Sequence, residues 1–149
     1  MRKVLAILLL ISVLLLESCS DAHNTEDILS EFCRQYPIDM TVYSSSKKTS
    51  EEGYIDADML NGLYGISEYP VSDFSLVLYG KVDTVREIGV FATKTGEEKI
   101  ETLELLKNRI DFLSSFSYGE GFIKKYKDIL IYGFVENASY AEELFDNIL

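Results

Sequence analysis

The sequence predicts an α+β fold: a small, mostly antiparallel sheet of three or four strands with helices packed on it. Three stretches carry that expectation. FSLVLYG at 74–80 and REIGVFATK at 86–94 alternate at period two. Phe74, Leu76 and Leu78 therefore share one face of the first strand, and Ile88, Val90 and Ala92 share one face of the second. The third stretch, 95–116, opens with the capping box Thr95-x-x-Glu98 and carries Ile100, Leu103, Leu106, Ile110 and Leu113 at helical spacing. Such a stripe must lie on an apolar surface, and the two strands supply one.

The other elements follow in chain order. Asn24 caps a helix over 25–36, with Glu26 and Asp27 where the helix dipole favours them. Its apolar stripe is Ile28, Leu29, Phe32, Cys33 and Tyr36, and Pro37 ends it. Residues 38–53 are polar and read as a loop, with 40–43 as a short edge strand. Asp56 caps a second helix whose apolar residues are Met59, Leu60, Leu63 and Tyr64, and Gly65 followed by Ile66 stops it. Asp56-x-Asp58 also opens like a calcium loop, but Leu60 occupies the third ligand place, so the cap reading holds.

Residues 117–128, with two glycines and three lysines, read as a linker. ILIYGFV at 129–135 is continuously apolar, as in a strand covered on both faces, and Gly133 within it marks a bulge or a close neighbour. A second capping box, Ser139-x-x-Glu142, opens a last helix with the stripe Ala141, Leu144, Phe145 and Ile148. The long helix is then a crossover between the second strand and the strand at 129–135, right-handed if those two run parallel.

The 149 residues divide into a signal peptide at 1–18, a tether at 19–24 and one domain at 25–149. Arg2 and Lys3 precede an apolar core at 4–16, too short for a spanning helix, which needs about 20 residues. Leu16-Glu17-Ser18-Cys19 follows. A Leu three places before, and a small residue just before, a cysteine resemble the bacterial lipoprotein signal, which implies lipid on Cys19. Glu17 departs from that pattern, where a small uncharged residue is usual. The alternative is an ordinary secretory peptide in which Cys19 is incidental. With Cys19 acylated, Cys33 has no intrachain partner and reads as a small buried hydrophobe.

The formal charge is −11, and loss of residues 1–18 leaves 12 cations against 24 carboxylates, or −12. That excludes nucleic acid as a partner and adhesion to anionic lipid through the folded surface. The expected location is the extracytoplasmic side of a cell membrane, held by lipid on Cys19.

Chemistry-bearing motifs are sparse. The only histidine, His23, lies in the tether, so neither a histidine triad nor a zinc cluster is expected in the domain. No phosphate loop is present: Gly119-Glu120-Gly121 lacks the following GK[ST]. No cofactor, metal or catalytic residue is assigned. Ten tyrosines occur without a tryptophan; Tyr79, Tyr118, Tyr126 and Tyr132 could stack on a ligand or bury their rings, and burial is the expectation. The candidate partner-binding residues are Tyr118, Phe122, Lys124, Lys125 and Lys127, where cations gather beside aromatics in an acidic chain.

Taken together, the lipoprotein signal, Leu63-Tyr64-Gly65-Ile66, Glu87-Ile88-Gly89-Val90-Phe91, the long helix bearing Arg109 and the strand at 129–135 resemble small bacterial lipoproteins known as domain of unknown function 4358. The likeness covers nearly all of the mature chain. Gly89 departs from it, since that family often has a small apolar residue there. The resemblance implies an extracytoplasmic lipoprotein and carries over no catalytic residues. The functional expectation is a lipid-anchored, non-enzymatic binding or accessory domain with an unknown protein or cell-wall partner. The alternative is a cell-wall-directed enzyme using carboxylates or tyrosines.

Overall fold

The two alternating runs pair with each other, and both faces of their sheet are covered. The computed structural model describes residues 24–36, 40–64, 71, 73–81 and 84–149. In chain order these form α1 (Thr25–Gln35), β1 (Tyr43–Ser44), α2 (Ala57–Tyr64), β2 (Asp73–Tyr79), β3 (Arg86–Ala92), α3 (Gly96–Ser114), β4 (Glu120–Tyr126), β5 (Ile129–Val135) and α4 (Ala138–Ile148). Five strands lie in the order β1-β2-β3-β5-β4, and every neighbouring pair is antiparallel. This is an α+β fold with helices packed on a sheet, with one more strand than the upper expectation.

The extra strand is β4, which corrects the linker reading of 117–128. Glycines suggested slack chain there; in the fold they give clearance. A Cβ on Gly121 would stand 2.2 Å from Ile110 Cγ2 of α3, so glycine lets the strand pass under the helix. β4 forms a hairpin with β5, with Phe122 opposite Gly133. That pairing also resolves Gly133: a Cβ there would stand 2.3 Å from Phe122 Cε1, so the glycine marks a close neighbour and no bulge is needed. Because β3 and β4 are both antiparallel to β5, they run parallel to each other with β5 between them. The crossover through α3 therefore joins β3 to β4, and the strand at 129–135 runs antiparallel to β3.

One sheet face carries Val77, Ile88, Val90, Phe122, Ile131 and Val135 against α1 and α4. There Phe32 stacks on Phe145 with centroids 4.2 Å apart. The other face carries Phe74, Leu76, Phe91, Leu130 and Tyr132 against Leu60 of α2 and Leu106 of α3. The facing predicted for β2 and β3 is the facing observed, and β5 is buried along its whole length. Cys33 sits in the first core, where burial pushes its thiol up to about 11, so the small-hydrophobe reading stands.

Three details differ from expectation. Ile100 is 68% exposed, so the buried stripe of α3 starts two residues later, at Thr102. The N-cap of α4 is Asn137, whose side chain accepts from Tyr140 N, and Ser139 lies inside the first turn. Thr95 caps α3 as expected, but Glu98 Oε2 reaches past the cap to accept from Lys94 N. The Asn24 and Asp56 caps are formed as read. The edge strand is formed by Tyr43–Ser44, and the loop after it is pinned by Lys47 Nζ, which donates to the carbonyls of Val42 and Glu52. Pro37, Gly65 and Ile66 lie outside the described residues.

Candidate functional site

Between α2 and α3 lies a pocket of about 350 Å³. α3 contributes Leu105, Asn108, Arg109 and Phe112, and α2 contributes Gly62, Leu63 and Tyr64. The α3 residues recur at three and four places, a second stripe beside the one that packs on the sheet. Arg109 stands where the two stripes meet and reaches inward.

Its partner is Glu87, which β3 turns to the same side as Phe91 and which is 0% exposed. Arg109 Nη2 donates to Glu87 Oε2 at 2.6 Å, and Nε lies 3.2 and 3.3 Å from the two carboxylate oxygens. Tyr64 donates its hydroxyl to Glu87 Oε1 at 2.9 Å. Having given its one proton there, Tyr64 must accept from Tyr132, 2.7 Å away. The network thus runs from Tyr132 through Tyr64 to Glu87, with Arg109 closing it. A buried carboxylate persists only with a charge partner and hydrogen bonds of this kind. Gly89 leaves the space in which Tyr132 lies: a Cβ there would be 2.7 Å from Tyr132 Cε1 and 2.6 Å from Phe91 Cε2.

The network shapes what the pocket can hold. Arg109 has its donors turned to Glu87 and, at 3.4 Å, to the Leu63 carbonyl. It lies over the Tyr64 ring at 4.9 Å and the Phe112 ring at 5.5 Å. Its charge is matched from behind, so the pocket meets a neutralised, largely apolar wall. Phe112 is half exposed at the rim and contacts Phe116 edge-on, and the Asn108 amide is the polar group beside it. An uncharged apolar or aromatic group suits that lining, with a hydrogen bond at its edge.

The five partner-binding residues read from the sequence do not form one surface. Tyr118 is 87% exposed before β4, but Phe122 is buried in the α1–α4 core. Alternation along β4 sends Lys124 to that side, where it pairs with Asp146 of α4 at 2.7 Å, and Lys125 to the opposite side. Lys127 sits in the hairpin turn at φ 50° with its ammonium 5.0 Å from the Tyr126 ring. Of the four tyrosines expected to bury their rings, Tyr132 is fully buried, Tyr79 and Tyr126 are half-buried, and Tyr118 is exposed, against the expectation. Cys19 lies outside the described residues. Among the described residues no cluster of His, Cys, Asp or Glu could hold a metal ion, and no helix is long and apolar enough to cross a membrane.

Sequence reasoning missed the pocket, though a signal was present. Glu87 falls on a buried face of an alternating strand, and Arg109 falls within a buried helical stripe; each charge demands the other. Gly62 and Asn108 carried no comparable sign. No protein-family model, no curated protein and no solved structure matches this chain.

Proposed function

We propose that this chain is a lipid-anchored binding protein on the extracytoplasmic side of a bacterial membrane, and that the α2–α3 pocket holds an uncharged apolar or aromatic group of its ligand. Gly62 carries the second half of that reading. Within a helix, glycine is less favourable than alanine by roughly 0.5–1 kcal/mol. A close contact can require it, yet a Cβ on Gly62 would meet no atom of the described residues within 4 Å. Gly62 is itself exposed, and the open space beside it is the mouth of the pocket that it lines. A glycine that packing does not need is accounted for by a ligand that occupies the space. The location rests on Arg2, Lys3, the apolar core and Leu16-Glu17-Ser18-Cys19. A −12 domain would be repelled by anionic lipid, so a covalent anchor is the means of attachment that fits.

The test is photocrosslinking in living cells with the full-length chain. A photoreactive phenylalanine analogue in place of Phe112 should capture a discrete species in the membrane fraction, and the same analogue in place of Glu104, on the outer face of α3, should not. With Cys19→Ala added, the captured species should leave the membrane fraction. Equal patterns at 112 and 104 would overturn the pocket. Unchanged membrane fractionation of Cys19→Ala would overturn the anchor.

A further inference from the structure

A second buried arginine lies on the other side of the sheet, and its circumstances are the reverse of Arg109's. Arg86 opens β3 directly opposite Tyr79 of β2, on the face that carries Ile88 and Val90. Its side chain is 7% exposed. A guanidinium keeps its charge at every physiological pH and presents five N–H donors in a planar fork. Here Nη1 donates to the neighbouring Val85 carbonyl at 3.0 Å. Nη2 stands 4.0 Å from Glu136 Oε1, beyond hydrogen-bond reach, and that carboxylate belongs to a side chain 76% exposed. Nε is buried and has no acceptor among the described residues. The Tyr79 hydroxyl is likewise buried, and the side chain it engages is another phenol, not an anion. Beside it lies the phenol of Tyr36, whose ring rests between Phe32 and Tyr140.

Each buried donor left without an acceptor costs about 1–3 kcal/mol, and a buried cation without a close anion costs several. Arg109 avoids both with Glu87; Arg86 has no equivalent within the described residues. Nε and Nη2 share one edge of the guanidinium, the edge that takes a carboxylate through two parallel hydrogen bonds. Tyr79 lies directly across the strand pair from Arg86, and its phenol with that of Tyr36 supplies hydroxyl donors on the same face. Burial holds the Tyr36 and Tyr79 phenols above their ordinary range, so both keep their protons and can donate.

We propose that Arg86, with Tyr79 and Tyr36, forms a binding site for a small carboxylate, entered from the Glu136 side. The ligand is a monoanion: one arginine neutralises one charge, and Glu136 at the mouth opposes a second. A free organic acid and the terminal carboxylate of a peptide share this chemistry.

The probe is sodium acetate added to the full-length chain in detergent, against sodium chloride at equal ionic strength. Acetate should shift the Arg86 Nε–H resonance saturably and raise Tm, and chloride should do neither. Tyr79→Phe, which removes only the hydroxyl, should weaken acetate binding roughly two- to tenfold, the value of one hydrogen bond. Glu136→Gln should tighten it by removing the opposing charge. A C-terminal dipeptide binding more tightly than acetate identifies a peptide terminus as the source; acetate binding as well or better identifies a free acid. The proposal fails if acetate acts no differently from chloride, or if Tyr79→Phe leaves its affinity unchanged. It fails equally if Glu136→Gln weakens binding and lowers Tm, since Glu136 would then be the arginine's own counter-ion.

Discussion

Exchanging Arg109 for methionine should destabilise the fold by about 3–5 kcal/mol, the usual consequence of removing one partner from a buried ion pair. Glu87 is fully buried and draws its charge compensation from Arg109. Without the guanidinium the carboxylate keeps one strong donor, Tyr64, and an apolar surround. Methionine keeps much of the arginine stem's volume, so the loss reports charge and hydrogen bonding more than packing. Glu87→Leu combined with Arg109→Met should lose much less than the two single changes added together. Urea denaturation of the four proteins measures this. A single-variant loss below roughly 1 kcal/mol, the range of an exposed pair, would show that the pair is solvated.

Leu106→Ala should cost about 2–5 kcal/mol, because the side chain is fully enclosed between α3 and the sheet and leaves a cavity there. Ile100→Ala, equally apolar and on the same helix, should change stability by less than roughly 0.5 kcal/mol because its side chain lies in solvent. Chemical denaturation of both variants measures the rotation of α3 about its axis. Comparable losses at the two positions would contradict the observed helix facing.

Most of the fold was legible because period and capping chemistry act locally. Phe74, Leu76 and Leu78 had to share a face, and Thr95 and Asp56 had to stop a chain of orphan amides; neither depends on what comes from afar. β4 was illegible because the glycine within it and the one just before it answer to residues distant in sequence. Gly121 answers to Ile110, and Gly119, where a Cβ would stand 2.7 Å from Phe134 Cε1, answers to β5. Locally such glycines look the same as glycines that loosen a linker. The same reason dispersed the lysine cluster: adjacency along a strand places Lys124 and Lys125 on opposite faces. Ile100 misled because helical spacing identifies a stripe but not where the sheet beneath it ends. The pocket needed two helices brought together, and two of its seven lining residues are a glycine and an asparagine whose meaning comes only from that meeting.

The pocket's role rests on Gly62 being kept for a ligand and not for the fold, and two substitutions there test it together. Gly62→Ala should raise stability by roughly 0.5–1 kcal/mol, the difference in helix propensity, since its Cβ enters open space. Gly62→Trp should fill the pocket, leave the unfolding midpoint at or above that of the parent chain, and abolish crosslinking from position 112. A stable Gly62→Trp chain that still crosslinks as before would contradict the account, and so would a Gly62→Ala chain less stable than its parent.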